Sequence, residues 1–457
     1  LFVLLFINGS LSAARFNVSS IQELRSAINS AALNEEEDTI ILADGIYQTT
    51  ADGLGTIEFL TDKNHDLTLQ GSGTDNVILS GGNADRVMKF MGLGSSCRIY
   101  LSGLTVQKGF ISGESGGGIY SNLEIHLENV KLYMNEVEQT GHYTSPDGGT
   151  GSAIFLDWQT AVRGYINNSV ISYNNNLAGG HSAVNGRVNI SNSTISNNLR
   201  GAIYVSGGNV YKNLKIIDNS GYAIATCGDS WYLHDSLIEG NEDSASPIYG
   251  SVIADGCAGI DKDSIISNTV IRNNSAEQYV FRSTQGMKIS NVIFHDNTVS
   301  EGNIDFDFKD HNQIINSLFV GSRNKVIFGD GSIIVNSIFI SPTEITAGDL
   351  NKFYNNYIDE SIITGSNFKQ NNIYTGATLG FLDETDGNFR LTGSSDLIDA
   401  GSTDVSGVQF PETDLDGNTR VLGATIDIGP YEFAYSNTDG EGEKGVSPWL
   451  LLLLLND

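Results

Sequence analysis

The side chains best placed for chemistry fall in Asp305-Phe-Asp307-Phe-Lys309-Asp310-His311. Successive side chains of an extended strand point to opposite faces. Alternation therefore predicts Ile304, Phe306 and Phe308 inward, and Asp305, Asp307 and Lys309 together on one outer face. Two carboxylates two residues apart can chelate Ca2+ or act as a catalytic acid–base pair. Arg282 precedes Asn291 by nine residues, just as Asp307 precedes Asn316. If those Asn residues mark equivalent points of a repeat, Arg282 lies beside Asp307. The other reading is a solubilising outer face whose charges Arg282 screens.

Two further groups stand out. Asp414, Asp416 and Asn418 place oxygens at alternate positions around Gly417, like half of a calcium loop, and Asp427 or Glu432 would complete a structural Ca2+ site. The alternative is a turn held by Asp–backbone bonds and an Arg420 ion pair. Tyr120, Phe155 and Tyr204 each follow an isoleucine (Ile119, Ile154, Ile203) in a Gly-rich strand. With the isoleucines inward, the rings form an outward strip that suits carbohydrate binding. Trp158 and the insertion around residues 136–151 lie beside that strip, and the insertion either leaves the rings open or folds over them.

These residues sit on a repeat. The pattern apolar-x-Asn-x-x-apolar recurs with its third position at Asn129, Asn168, Asn192, Asn213, Asp235, Asn268, Asn291, Asn316, Asn336 and Asn355. Strict alternation breaks at this position, which predicts a turn, because Asn tolerates the left-handed αL region. Stacked amides there can form a ladder. A second Asn follows at Asn135, Asn174, Asn198, Asn219, Asn241, Asn274 and Asn297 and marks another turn. Between them lies a Gly-x-Ala-Ile type strand. Most repeats span 19 to 26 residues, and two longer intervals, after Asn129 and after Asp235, carry insertions. The pattern predicts an all-β chain, a right-handed parallel β-helix of stacked coils. Ser20-Ile-Gln-Glu23 reads as a capping box that opens a short amphipathic helix covering the N-terminal end.

Residues 1–14 read as a truncated signal peptide, and residues 15–375 as the β-helix with its N-terminal cap. Residues 376–433 form a C-terminal module. Residues 434–457 are an acidic Gly-rich spacer and a truncated apolar sorting or anchor tail ending in Leu450 to Leu455. Cys227 and Cys257 occupy comparable points of neighbouring coils, whose ~4.8 Å spacing is compatible with a disulfide; Cys97 is then a buried small hydrophobe. The 457 residues carry 52 Gly, 6 Pro and only 17% charged residues, which suits short strands and tight turns. The net charge of −29 excludes nucleic acid as a partner. It also repels acidic polysaccharide unless a divalent cation or a local basic patch bridges the two.

The opening helix, Gly45-Ile-Tyr47 and Leu67-Thr-Leu-Gln-Gly71 resemble the start of pectate-lyase-like β-helix proteins. The alternating Gly-x-Ala-Ile and Asn units are similar to repeats of polymorphic outer-membrane protein adhesins. Ile398-Asp-Ala-Gly401, Asp414-Leu-Asp416-Gly417-Asn418-Thr-Arg420 and Ile426-Asp427-Ile-Gly429-Pro-Tyr431-Glu432 resemble the choice-of-anchor Q domain of bacterial surface proteins, with Pro430 where Ala is usual. That resemblance implies a C-terminal cap and surface display, with no assigned activity. The catalytic motifs of pectate lyases, of Lys–Arg lyases and of polygalacturonase-like hydrolases are not intact here: His181 lies in Gly-Gly-His-Ser, and Lys212, Lys215, Arg282 and Lys288 form no recognisable Lys–Arg pair.

The leading expectation is an extracellular or cell-surface β-helix that binds polysaccharide or a host or neighbour-cell glycan without catalysis. It would be monomeric, touch membrane only through its tail, and have no certain cofactor beyond a candidate Ca2+. One alternative is a Ca2+-dependent polysaccharide lyase or glycoside hydrolase using Asp305, Asp307 and Arg282. A second is a structural spacer.

Overall fold

Each coil repeats the apolar spacing of the coil before it, so parallel strands stack in register and the chain winds as a right-handed parallel β-helix. The computed structural model describes residues 13–434 except 139–149, 161, 178–181, 229, 244–249, 256–263, 285, 301–302, 322–324, 341, 343 and 375. The expected signal peptide and anchor tail therefore lie largely outside the described residues. The chain divides into two compact units between Val188 and Asn189.

In the first unit Leu67 and Leu69 pair with Ile99 and Leu101, which pair with Ile125 and Leu127, and Leu127 pairs with Ile166. A second sheet stacks Ile57, Met88, Ile119 and Ile154. A third, narrow sheet joins Phe110–Ser112, Glu136–Glu138 and Asn175–Leu177. The helix Ile21–Leu33 packs on the strands Ala14–Val18, Asp38–Leu42 and Ile57–Thr61 as the expected cap. Ser20 Oγ accepts the Glu23 N–H, while the Glu23 carboxylate reaches back to Ser19 N at 2.7 Å rather than to Ser20.

In the second unit one sheet stacks Ile190, Tyr211, Leu233, Ile266, Ile289, Ile314, Ile334 and Phe353, all buried. The facing sheet stacks Ile203, Ile224, Ile253, Phe281, Phe306, Val326 and Ile345. Between them Phe294, Phe319 and Phe339 stack at 4.8 and 4.7 Å, so the coil rise itself sets the ring spacing.

The third-position Asn and Asp residues all adopt positive φ, from 47° at Asn316 to 55° at Asn291, as the broken alternation predicts. The continuous buried ladder, however, belongs to the second series of Asn residues. In the second unit Asn198, Asn219, Asn241 and Asn274 each donate their amide to the Oδ1 of the next, ending on Asn297, at 2.9 Å throughout. Each of those Oδ1 atoms also accepts the main-chain N–H of the preceding Asn. The third-position amides also bond one another, Asn213 to Asn192 at the surface and the buried Asn291 to Asn268.

Residues 376–433 pack against the side of the coils. They open with the antiparallel pair Phe381–Asp383 and Asn388–Leu391 and lie along the flank of the second unit's own coils. Ile293, Leu318 and Ile338 point outward from successive strands and are covered by Phe389, Leu391, Leu397, Leu415, Ile428 and Tyr431. Third-position amides hold the cover by its backbone: Asn316 donates to Asp427 O and Gly429 O, Asn336 to Ser402 O, Asn355 to Ala400 O and Asn291 to Thr413 O.

Two outcomes test this architecture. Asn241→Ala removes donors and acceptors from buried partners on both neighbouring coils, and should cost about 3 kcal/mol in chemical unfolding; a cost below about 1 kcal/mol would refute the ladder's role. Leu318→Asp places a charge under the cover, so limited proteolysis should cut within residues 376–433 at protease levels that leave the unaltered chain whole.

Candidate functional site

The strand Phe306–Phe308 brings the expected cluster together. Arg282 pairs in register with Asp307, and its Nε lies 3.8 Å from Asp307 Oδ2. Lys309 Nζ donates to Asp307 Oδ1 at 2.9 Å. Asp305 Oδ2 accepts the main-chain N–H of Lys325 at 2.7 Å. The expectation that both carboxylates stand exposed is corrected, because Asp305 and Asp307 are each only 3% exposed. Alternation sets the direction of a side chain, but a short Asp lying between longer neighbours on adjacent rungs stays below the surface. Asp307 lies between Arg282 and Ile327, and the Asp305 carboxylate lies against the Lys325 backbone. Solvent reaches the cations around them, Arg282 and Lys309, and Arg282 rests 5.2 Å from the centre of the Tyr279 ring. Burial pushes the Asp305 carboxyl up to about 6, against the opposing hydrogen bond from Lys325.

The aromatic strip is also corrected. Phe155 is 1% exposed and stacks on Tyr120 at 5.6 Å, so one face of each ring meets the other. Arg86 and Lys89 lie 5.4 and 5.8 Å from the Tyr120 centroid, and Tyr120 Oη donates to Asp157 at 3.1 Å. Tyr120 is therefore held by its neighbours instead of offering a bare face to a sugar. In the second unit Tyr204 is half-buried and pairs with Ala225. The Trp158 side chain lies outside the described residues.

Asp414, Asp416 and Asn418 form the capped turn and do not fit a calcium site. Asp414 Oδ1 accepts the N–H groups of Asp416 and Asn418 at 2.9 and 2.7 Å, and Oδ2 accepts Glu432 N and the Asn418 amide. Asp416 takes a bidentate pair of bonds from Arg390 at 2.5 and 2.6 Å. Asp427 accepts from Asp399 N and Phe433 N, and Arg420 donates to Glu432 at 2.9 Å. A cation needs these same oxygens turned toward one point. Among the described residues no three carboxylate, His or Cys side chains converge that way. Cys227 is disulfide-bonded, Cys257 lies outside the described residues, and Cys97 is free and buried as expected.

The sequence reading missed the covered flank, although its signal is present in the repeat. The fifth motif position points outward and pairs rung to rung as Thr194, Lys215, Leu237, Val270, Ile293, Leu318 and Ile338. It changes from polar to aliphatic at Leu237, which an exposed row would not do. At the edge of the cover, Leu237, Val270, Ile293, His295, Phe389 and Tyr431 line a cavity of about 320 Å3.

The folded Asp305 carboxyl is raised from 3.8 to about 6, so the native state binds more protons than the unfolded chain between those values. Its stabilising effect is complete below pH 3.8 and is lost as pH rises through 6. Asp305→Asn keeps the bond to Lys325 N and removes the buried charge. It should raise unfolding stability at pH 7 by on the order of 2 kcal/mol and flatten the decline between pH 4 and 6. An unchanged pH profile in that variant would refute the assignment.

No protein-family model matches the chain, and no curated protein does either. Solved structures similar to it include the Agl-KA catalytic domain, at 14% identity over 77% of this chain and 65% of that one, with a TM-score of 0.32. They also include an alginate lyase from Paenibacillus sp. str. FPU-7, at 12% identity over 73% of this chain and 97% of that one, with a TM-score of 0.29. Pectate lyase Pel9A matches at 13% identity over 93% of this chain and 97% of that one, with a TM-score of 0.27. Likeness at this level carries no argument about residues or activity.

Proposed function

We propose that this chain is an extracellular or cell-surface β-helix that binds acidic polysaccharide without turning it over, in the manner of an adhesin. The observation that carries the reading is the arrangement at Asp307. The carboxylates that could act as acid and base are buried and bonded, while the groups that reach solvent around them are the Arg282 guanidinium and the Lys309 ammonium. Guanidinium and ammonium groups recognise the carboxylates of uronic acids through charge-assisted bonds, and the Tyr279 ring lies beside the Arg282 guanidinium. The net charge of −29 opposes this only at long range. Screening limits that repulsion to about 8 Å at physiological ionic strength, whereas the cations act in contact.

A second reading has its own support. A carboxyl raised to about 6 beside a cationic surface suits a general acid, so Asp305 could serve a polysaccharide lyase or glycoside hydrolase. One assay separates the two. Polygalacturonate and alginate are incubated with the protein, and both binding and release of unsaturated or shortened products are followed. Binding reduced at least tenfold in the Arg282→Ala, Lys309→Ala double variant, with no product, supports the binding reading. Product formation that is lost in Asp305→Asn overturns it in favour of catalysis, and absence of binding to either polymer overturns it in favour of a spacer.

A further inference from the structure

The turn that leads into each Asn of the laddered series requires a residue at positive φ. Ahead of Asn198, Asn219, Asn241, Asn274 and Asn297 in the second unit that residue is Asn197, Asp218, Gly240, Asn273 and Asp296, with φ between 49° and 65°. These are the residue types that tolerate αL. In the first unit the same turn carries Lys108, Met134 and Tyr173, at 52°, 52° and 57°. The three lie on consecutive coils, since Lys108 N bonds Tyr133 O and Met134 N bonds Ser172 O. Each is a long side chain held in a backbone conformation that disfavours it.

The strain has no counterpart in packing. Met134 is 42% exposed and Tyr173 is 52% exposed. Tyr173 meets Tyr133 edge-on, at 5.7 Å and 77°, and Lys131 Nζ stands 4.6 Å from the centre of the Tyr133 ring. Three αL positions carrying long side chains, Met134 and Tyr173 exposed and Lys108 half-buried, are poor choices for folding. Backbone strain retained at an exposed surface marks a site where the side chain itself is used.

We propose that the ridge formed by Lys108, Met134 and Tyr173, with Tyr133 and Lys131 beside it, is a contact site for the uronic-acid residues of an anionic polysaccharide. The inference rests on the glycan-binding reading above and adds a site in the first unit. The exposed Tyr173 ring and the Met134 side chain offer an apolar surface to the C–H face of a pyranose. Lys108 and Lys131 offer ammonium groups to its carboxylates. Glu136, two residues after Met134, is engaged by the Asn175 amide at 3.2 Å. Rungs are about 4.8 Å apart, so a linear glycan laid along the ridge meets one of the three side chains at every coil.

The test uses the full chain with Tyr173→Asn, which restores the residue type this turn prefers. Binding to polygalacturonate, with neutral dextran as control, is measured together with the melting temperature. The expected result is a melting temperature equal to or above that of the unaltered protein, with affinity for polygalacturonate lowered at least tenfold. Unchanged affinity in this variant, while the unaltered protein binds, overturns the ridge and leaves the glycan-binding reading standing. A fall in melting temperature that accompanies the loss of binding overturns it in favour of a structural role for Tyr173. If the unaltered protein binds alginate but not polygalacturonate, the same comparison is made with alginate; if it binds neither, both proposals fall together.

Discussion

The buried Asn ladder is the interaction on which the rest of the second unit depends. A coil that turns sharply inside a stack leaves main-chain N–H groups facing the interior, where each unmet donor is costly. One amide per coil resolves this. Its Oδ1 takes both the N–H and the side-chain amide of the Asn one coil back, while its own Nδ2 reaches a carbonyl, as Asn241 reaches Ile216 O. Because the same atom closes the turn and links the coils, it fixes the register of the strands on either side. That register is what places Arg282 opposite Asp307.

Register also explains which features could be read from the sequence. The turn at each third-position Asn follows from a break in alternation, and a shared nine-residue offset from those Asn residues is enough to pair Arg282 with Asp307. Depth could not be read in the same way. Alternation states which face Asp305, Asp307 and Phe155 point to, but their burial depends on the length of neighbours on adjacent rungs, so the carboxylates sink between longer side chains. The Asp414 turn illustrates the same limit. Alternate oxygens suggested a cation, whereas the hydrogen bonds show backbone N–H groups as their partners.

The positive-φ turns show how one backbone requirement can serve two ends. Where the turn residue is Asn, Asp or Gly, conformation and residue type agree, and the coil is plain scaffold. Where it is Met134 or Tyr173, they disagree. Local disagreement of this kind in an otherwise consistent repeat is expected where stability has been given up for contact. The disagreement is visible only once the turn geometry is known, since neither residue is unusual in composition or in hydropathy.

The outward fifth position carries the consequence for the C-terminal segment. A β-helix flank that faces water keeps polar side chains there, as Thr194 and Lys215 do. From Leu237 to Ile338 the row is aliphatic, and residues 376–433 lie over its later part through Leu391, Leu397, Leu415 and Ile428. The coils and the segment were therefore shaped for each other: the segment has little apolar core of its own, and the row beneath it would be a contiguous exposed apolar patch. Physically residues 398–432 are a wall of the second unit, held through Arg420 at Asn291 and through the third-position amides at the same turns that wind the coils.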